Sequence, residues 1–262
     1  MDELVQLNSE VEVNQKDILV LDRVWIDRIK KIASKNYSGK YRTCIHKSEK
    51  DNVHEMLIVH TSRAYVRPHK HRINGESLQF IEGVGTAIIF NEDGSIKQAF
   101  KVGDQFSDNT FYYSMGKDLF HMLIIESEFL IFKETTKGPF IRKNTIFPNW
   151  APDGKDNNEL AKYFAHLDKL LKEKEKKNLL IKLGLLFPEL DLNKIKRKLN
   201  KEDFFSIEKR LTPNEKDQFW LMGNKAFVFD PKPSRIYPQK SLFSHILGQT
   251  DDVNKGISGI EK

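Results

Sequence analysis

The stretch Pro68-His69-Lys70-His71-Arg72-Ile73-Asn74-Gly75-Glu76 carries the strongest chemical pattern in the chain. In an extended strand, side chains two residues apart point to the same face, so His69 and His71 present two imidazoles to one ion. Asn74-Gly75 is typical of a turn and returns the carboxylate of Glu76 toward the same point. Two nitrogens and one oxygen suit one divalent transition metal, with Fe, Mn, Ni, Co and Zn all open. The spacing predicts a metal site among strands.

A fourth ligand is expected from a neighbouring strand. His121 alternates with the apolar residues Leu119, Leu123 and Ile125 and therefore faces inward with them. The competing interpretation is a core histidine whose ring nitrogens are satisfied by hydrogen bonds. His60 and His46 are reserve candidates for the same position.

Short β-rich runs surround the histidine stretch. The loop Asn91-Glu92-Asp93-Gly94 is typical of a hairpin between two of them. Several short, closely spaced strands predict a sandwich or barrel. The predicted strands are Met56–His60, Leu78–Ile81, Thr86–Phe90, Ile96–Val102, Phe111–Tyr113, Leu119–Ile125 and Phe129–Lys133.

Helical periodicity lies on both sides of this β-rich region. It predicts one helix over Asp22–Ser34 before the strands and a long helix over Asn158–Lys182 after them. A short helix is expected around Ile195, and Thr212-Pro213-Asn214-Glu215 has the chemistry of a helix start, with Gly223 as its stop. Phe227–Phe229 is predicted to resume as a strand.

His69-x-His71-x4-Glu76-x6-Gly83 resembles the first metal motif of the cupins. The run Tyr65-Val66-Arg67-Pro68 before it, and the ending Asn149-Trp150-Ala151-Pro152, are similar to the WbuC family of cupin-fold metalloproteins. The resemblance covers about residues 20–155. It implies a double-stranded β-helix, or jelly-roll barrel, with a metal inside.

The sequence departs from the cupin pattern at two positions. Arg63 stands where the first motif usually begins with glycine. The stretch Ser114-Met115-Gly116-Lys117-Asp118-Leu119-Phe120-His121 lacks the usual proline-containing turn of the second motif and has a longer spacing. The second departure bears on the fourth ligand, His121, and leaves the first three unaffected.

Tyr65 and Arg67 share strand parity with the two histidines, so both are predicted to bind substrate. Arg67 is then a bidentate clamp for a carboxylate or phosphate, and a surface arginine is the equal alternative. The resemblance to WbuC implies a sugar-like or nucleotide-sugar ligand in surface-polysaccharide metabolism, and a homodimer through the barrel. Whether the protein is an enzyme is open: isomerase, oxygenase and plain binding roles are all compatible, and the catalytic residues are unknown.

The last part of the chain has a second resemblance, over about residues 177–262. Arg235-Ile236-Tyr237-Pro238, Ser244-His245-Ile246-Leu247-Gly248 and Gly256-Ile257-Ser258-Gly259-Ile260-Glu261 are similar to the N-terminal, non-catalytic module of class B penicillin-binding proteins of the FtsI type. That module is normally periplasmic. It implies partners among division or cell-wall proteins, which is the alternative function of the chain.

Transpeptidase activity is not expected. Ser206-Ile207-Glu208-Lys209 fits the pattern Ser-x-x-Lys, but its surroundings favour a strand, whereas the catalytic motif begins a helix. The companion Lys-Thr-Gly motif does not follow it in the sequence.

Composition divides the chain into two parts of different charge. Of 43 basic and 37 acidic residues, 22 and 23 lie in residues 1–160, which gives −1 there and +7 in the remainder. The predicted organisation is a mainly β cupin domain with an N-terminal helix over 1–155, a helical lysine-rich linker over 156–178 and a smaller α+β segment over 179–262. Nucleic-acid binding is not expected, because no recognition motif accompanies the basic residues.

One cysteine, Cys44, excludes a disulfide framework and multi-cysteine metal sites. The acidic N-terminus has no apolar signal region, and the longest apolar run, 179–187, is too short to span a bilayer. These features predict a cytoplasmic location.

Overall fold

The computed structural model describes residues 4–202, 204–207, 211–222 and 227–229, and the chain divides into two compact units, Met1–Leu179 and Leu180–Lys262. The strands are β1 Leu4–Asn8, β2 Val11–Asn14, β3 Lys40–Cys44, β4 Val53–Thr61, β5 Lys70–His71, β6 Glu76–Glu82, β7 Val84–Phe90, β8 Ile96–Gly103, β9 Tyr112–Met115, β10 Phe120–Ile125, β11 Phe129–Lys137 and β12 Thr145–Ile146. The helices are α1 Arg23–Lys35, α2 Asn157–Leu186, α3 Leu192–Lys201 and α4 Pro213–Leu221, with a 3₁₀ turn over Arg142–Asn144.

Eight of these strands form a barrel of two sheets. One sheet has the antiparallel order β4-β11-β6-β9 and is extended at the β4 edge by β3, β2 and β1. The other has the order β10-β7-β8, and a bridge between His69 and His121 joins β5 to its β10 edge. From β4 to β11, successive strands alternate between the facing sheets except at the β7–β8 hairpin, which is the double-stranded β-helix of the cupins. The predicted fold class is confirmed.

The barrel interior is filled by alternate residues of both sheets. Leu130 and Phe132 of β11 and Leu78 and Phe80 of β6 meet Leu123 of β10 in one buried cluster. This alternation follows from the period of two along a strand, which places every second side chain inside. The same parity carries several polar side chains of β6, β10 and β11 into the barrel.

Helix α1 covers the outer face of the larger sheet. Asp22 begins it by accepting a hydrogen bond from the backbone N–H of Trp25, 2.9 Å away. Ile29 and Ala33 are fully buried against residues of β3, β4 and β11, including Val59. The amphipathic spacing of α1 therefore supplies the second buried layer of the domain.

The first part of α2 packs on the outer face of the smaller sheet. Leu167 is 1% exposed and lies in a cluster with Phe90, Phe120 and Met122. Lys174 donates hydrogen bonds to the backbone carbonyl of Ile96, at 3.0 Å, and to that of Lys97. The segment predicted as a helical linker is helical, and its apolar side packs on the barrel.

In the second unit the described regular elements are helices. Thr212 and Glu215 form the predicted capping box at the start of α4. The aromatic rings of Phe187 and Phe219 stack with their centroids 4.2 Å apart. The strand predicted at 227–229 is not formed, since those residues lie outside regular structure. The predicted stop at Gly223 and the motifs from 235 onward lie outside the described residues, and the domain boundaries stay a prediction.

None of the helices that the structure describes has both the length and the apolar composition needed to cross a membrane.

Candidate metal centre

Backbone pairing places His69 directly opposite His121. The N–H of His69 donates to the carbonyl of His121 at 3.1 Å, and the N–H of His121 donates back to the carbonyl of His69 at 2.9 Å. Residues that exchange both bonds in an antiparallel pair direct their side chains to the same face. The two imidazoles therefore lie together inside the barrel, with ring centroids 4.4 Å apart.

The turn before β10 forms without the proline that the second cupin motif usually has there. Asp118 has a φ of 65°, in the left-handed region, and its N–H donates to the carbonyl of His71 at 2.8 Å. Its carboxylate also lies 3.0 Å from the ammonium of Lys70. Aspartate tolerates this conformation better than most residues, so the turn forms by a different route and still delivers His121.

The tautomers of two rings follow from their hydrogen bonds. Nδ1 of His69 lies 2.9 Å from the carbonyl of Arg67, and Nδ1 of His121 lies 2.9 Å from the carbonyl of Leu119. A carbonyl only accepts, so each Nδ1 carries a proton and donates it. Nδ1 of His71 lies 3.3 Å from the hydroxyl of Thr145. With the Nδ1 positions occupied, Nε2 is the nitrogen that each ring directs at the site. Nε2 of His69 offers a lone pair, and Nε2 of His121 offers one once an ion displaces the proton that it shares with Glu76.

The structure brings all four sequence-predicted ligands together. One ligand atom from each of His69, His71 and His121 lies within 4.8 Å of the others. Glu76 approaches from the start of β6, with Oε1 at 3.0 Å from Nε2 of His121 and Oε2 at 3.3 Å from Nε2 of His71. Glu76 is only 6% exposed, so its charge requires a compensating partner.

Electrostatics divide the cluster into an ion pair and a neutral ring. Burial opposes ionisation of Glu76. The charge of His121 and the hydrogen bonds that His121 and His71 make to the carboxylate outweigh burial, so the pKa of Glu76 lies well below its usual range. Burial likewise opposes protonation of His121, but Glu76 outweighs it and raises the pKa of that imidazole. Burial, together with the charge of His121, lowers the pKa of His69 to about 3.

These residues fit a divalent transition metal. Three imidazoles and one carboxylate are the donors that Fe, Mn, Co, Ni and Zn accept. The carbonyl anchors on two Nδ1 atoms are the outer hydrogen bonds that metal-binding histidines normally have. Glu76 also lines a surface cavity of about 350 Å³ between the ends of β4, β6, β9 and β11.

Tyr65 and Arg67 contact the segment that follows β12. The hydroxyl of Tyr65 donates to the carbonyl of Pro152 at 2.9 Å. Arg67 donates to the carbonyl of Ala151 at 3.3 Å, and its guanidinium lies 4.9 Å from the ring centroid of Phe147. Both polar groups thus anchor the chain on one side of the site, and substrate binding by them stays a prediction.

The two reserve histidines lie elsewhere. His60 pairs with Leu130 and Lys40. On β4 it lies six residues, or about 20 Å, from the position that is level with Glu76. The ring of His46 stacks on that of His54 with centroids 4.0 Å apart, and its Nδ1 lies 3.1 Å from the carbonyl of Glu55. Within the described chain, neither belongs to the three-histidine group.

Three residues near the site were not predicted to act there. Thr145 reaches His71 because β12 pairs with β5, a contact between positions 74 residues apart that no local pattern reveals. The role of Asp118 could be recognised only from the geometry of the turn. Glu134 had a signal, since Leu130, Phe132 and Glu134 alternate along one strand and therefore share the inner face.

Comparison with known proteins gives one family match. A domain family of unknown function, DUF6016, matches residues 21–102. This range runs from the start of α1 to the end of β8 and contains His69, His71 and Glu76, but not His121.

Solved structures with related folds cover part of the chain. A structural-genomics protein of Shewanella oneidensis has a TM-score of 0.38 at 11% identity, over 46% of this chain and 82% of that one. Oxalate decarboxylase of Bacillus subtilis has a TM-score of 0.33 at 18% identity, over 41% and 27%.

Curated relatives match a short region. The probable peptidoglycan D,D-transpeptidase PenA of Neisseria gonorrhoeae is 35% identical over 69 residues, which is 26% of this chain and 12% of that protein. The probable peptidoglycan D,D-transpeptidase FtsI of Caulobacter vibrioides is 26% identical over 80 residues, or 30% and 14%. The chain therefore spans about an eighth of the length of these relatives.

Proposed function

We propose that the barrel is a metal-binding cupin that holds one divalent transition metal through His69, His71, His121 and Glu76. The observation that carries the proposal is the convergence of three imidazoles on one buried carboxylate, with two of the rings fixed by backbone carbonyls. A buried cluster of this kind is costly to maintain without an ion to share its lone pairs.

The proposed ligand is a small sugar-like or nucleotide-sugar molecule, possessing hydroxyl groups that can approach the cluster. Support for it comes from the resemblance of residues 20–155 to WbuC. Glu76 also lines a surface cavity of about 350 Å³, which none of the three histidines lines. A metal in the cluster would supply Lewis-acid chemistry or bind oxygen. Isomerase, oxygenase and binding roles, the homodimer and the cytoplasmic location stay predictions.

The residues of this chain would orient the site and control its charge. The carbonyls of Arg67 and Leu119 hold two rings with Nε2 inward, and Thr145 orients the third. Glu76 supplies the negative charge that balances a cation. Tyr65 and Arg67 hold the segment that follows β12 through the carbonyls of Pro152 and Ala151.

Metal content is the direct test. The protein is purified after expression with a mixture of first-row metals, and bound metal is measured by plasma mass spectrometry. We expect about one metal per chain in the wild type and its loss in the double variant His69→Ala, His71→Ala. The exposed histidine variant His166→Ala is the matched control and should bind as the wild type does. Stoichiometric metal in the double variant, or none in the wild type, would contradict the proposal.

A second candidate function rests on the matches to D,D-transpeptidases. We propose that residues 177–262 bind a division or cell-wall protein, without transpeptidase activity, because 69 residues of the chain are 35% identical to PenA. The full chain is immobilised, and purified division proteins are passed over it in biolayer interferometry. Saturable binding is expected, and its absence across the division proteins tested would count against the proposal.

A further inference from the structure

One face of helix α3 is uniformly positive. The helix, Leu192–Lys201, contains five basic residues and no acidic one. Four of the five follow the spacing i, i+3, i+4, i+7, which aligns their side chains in one stripe about 10 Å long. This basic stripe consists of Lys194, Arg197, Lys198 and Lys201.

The opposite face of α3 packs within the second unit. Ile195 is only 5% exposed. Leu192 lies against Gly184 of α2, at a point where the glycine has no side chain to separate the two helices. Because the apolar face is held in this way, the basic stripe is directed to solvent, where Lys194 and Lys201 are exposed.

The charges of the basic stripe are not balanced within the described residues. Asp191 and Glu202 stand at the two ends of α3, and the carboxylate of Asp191 accepts the backbone N–H of Lys194 as a cap. Arg197 donates to the carbonyl of Asn193, and no carboxylate in the described part of the chain pairs with the stripe. Like charges three and four residues apart destabilise a helix, and the helix dipole opposes a cation in the first turn, where Lys194 lies. An external anionic surface would relieve both costs.

An exposed aromatic ring lies beside the basic stripe. The segment after α3 returns to its last turns, since the ammonium of Lys198 lies 3.5 Å from the carbonyl oxygen of Ser206 and 5.5 Å from the ring centroid of Phe205. Phe204, next to that ring in the chain, is 78% exposed. Cations beside an exposed apolar ring are the combination by which peripheral proteins bind anionic membranes.

We propose that α3 and Phe204 bind the surface of an anionic lipid bilayer. The basic stripe contacts the headgroup phosphates, and the ring of Phe204 enters the boundary between headgroups and acyl chains. A nucleic-acid duplex would offer phosphates to the stripe but no apolar partner to Phe204, so the bilayer accounts for both features. The bilayer contact requires neither the metal site nor a partner protein.

Cosedimentation of the full chain with lipid vesicles tests the contact. One set of vesicles is phosphatidylcholine alone, and the other contains about one third phosphatidylglycerol. The stripe variant leaves Lys198 in place, because that ammonium contacts the 205–206 segment, and it carries Lys194→Gln, Arg197→Gln and Lys201→Gln. The charge-matched control removes three exposed lysines of the first unit and carries Lys31→Gln, Lys50→Gln and Lys117→Gln.

We expect the wild type to bind the phosphatidylglycerol vesicles, more weakly as salt is raised, and not to bind phosphatidylcholine alone. Each cation near an anionic surface contributes about fivefold in affinity, so the stripe variant should bind about 100-fold more weakly. The charge-matched control should stay within about threefold of the wild type. Circular dichroism checks that the variants keep their helix content. If the triple variant does not fold, each single glutamine variant should show the fivefold loss.

The aromatic part of the contact has its own pair of variants. Phe204→Ser should weaken vesicle binding about tenfold, because a phenyl ring is then no longer removed from water. Phe106→Ser, at a ring of the first unit that is 91% exposed, should bind as the wild type does. Equal losses in the two variants, or none in Phe204→Ser, would overturn the role of the ring.

Three further outcomes would overturn the bilayer contact itself. Equal weakening in the stripe variant and the charge-matched control would show attraction by net charge alone. Absence of binding by the wild type to phosphatidylglycerol vesicles at about 100 mM salt would show that no such contact forms. A labelled DNA duplex is titrated in parallel, and duplex binding that the stripe variant loses, without vesicle binding by the wild type, would assign the stripe to nucleic acid.

Discussion

Two buried glutamates on opposite faces of the same sheet have very different partners. Glu12, under α1, is 1% exposed and accepts two hydrogen bonds from the guanidinium of Arg28, at 2.9 and 2.6 Å, with one each from the hydroxyls of Tyr41 and Thr43. Glu76, inside the barrel, is 6% exposed and faces the Nε2 atoms of imidazoles.

The difference separates a structural site from a functional one. The donors around Glu12 keep their protons, because Arg28 stays charged and the hydroxyls of Tyr41 and Thr43 do not ionise near neutral pH. The nitrogens around Glu76 can either donate a proton or offer a lone pair, so a metal ion can replace the protons without moving the chain. A buried carboxylate with permanent donors stabilises the fold, whereas one facing imidazoles can exchange a proton for an ion.

Removal of the fourth ligand should have the largest effect. In His121→Ala we expect metal affinity to fall more than about 100-fold, beyond the range for loss of an outer hydrogen-bond partner. His60→Ala, the reserve candidate about 20 Å away along β4, should bind metal as the wild type does. Competition with a fluorescent chelator measures both. If His60→Ala lost metal and His121→Ala kept it, the assignment of the site would be wrong.

Loss of the charge on Glu12 should destabilise the fold and leave metal binding intact. Glu12→Gln leaves Arg28 without its bidentate partner and places an amide group beside two hydroxyls, so the free energy of unfolding should fall by about 2–3 kcal/mol. Urea denaturation of the metal-free protein measures this. Glu55→Gln, which breaks a half-exposed ion pair with Lys133, should change stability by less than about 1 kcal/mol. Equal losses in the two variants would contradict the structural role of Glu12.

The pH dependence of stability should have opposite signs for Glu12 and Glu134. Burial alone would raise the pKa of Glu12, but the hydrogen bonds from Arg28, Thr43 and Tyr41 hold it below 4.5. In acid the unfolded chain therefore binds this proton first, and the stability that Glu12 contributes is lost as the pH falls below 4.5 and through the folded-state pKa. Burial and Glu76 raise the pKa of Glu134 to about 8, so the folded state retains that proton, and stability falls as the pH rises from 4.5 to 8.

Urea unfolding of the metal-free protein across this pH range tests both signs. Glu12→Gln should reduce the loss on the acid side, and Glu134→Gln should reduce the loss on the alkaline side. An unchanged alkaline slope in Glu134→Gln would show that this carboxyl group is ionised in the folded protein.

The smallest effect is expected from the hydroxyl that orients His71. Thr145→Val keeps the shape of the side chain and removes the 3.3 Å contact to Nδ1. Metal affinity should fall about three- to tenfold, at the lower end for an outer hydrogen-bond partner. The same chelator competition measures it, and Thr135→Val on the outer face of β11 serves as the control. A loss as large as that of His121→Ala would mean that Thr145 does more than orient the ring.

Local sequence was sufficient for most of the barrel because strand periodicity is a local property. All seven predicted strands are present, with ends shifted by a few residues, and the hairpin at Asn91–Gly94 connects β7 to β8. The strands β1, β2, β3 and β12 were not predicted, and for β5 only the extended conformation at His69–His71 was. β5 and β12 have only two residues each and exist because they pair with each other. No window of sequence contains both partners, so periodicity could not find them.

The side chains of the cluster differ in how strongly the sequence indicated them as ligands. His69, His71 and Glu76 followed from spacing alone, because they lie on one strand and the turn after it. His121 could only be chosen by parity, and its place was set by reciprocal backbone bonds to His69, 52 positions earlier in the chain. Arg67 had the right parity as well, but the carbonyl of Ala151 engages its guanidinium.

The amino-acid pattern was enough to identify a cupin barrel, its first three candidate ligands and the division of charge along the chain, because each depends on neighbours or on composition. The fourth ligand, the tautomers of the rings and the contrast between Glu12, Glu76 and Glu134 depend on which strands pair. They arise from contacts between residues distant in sequence, where a hydrogen bond or a buried charge is decided by the partner that folding brings within about 3 Å.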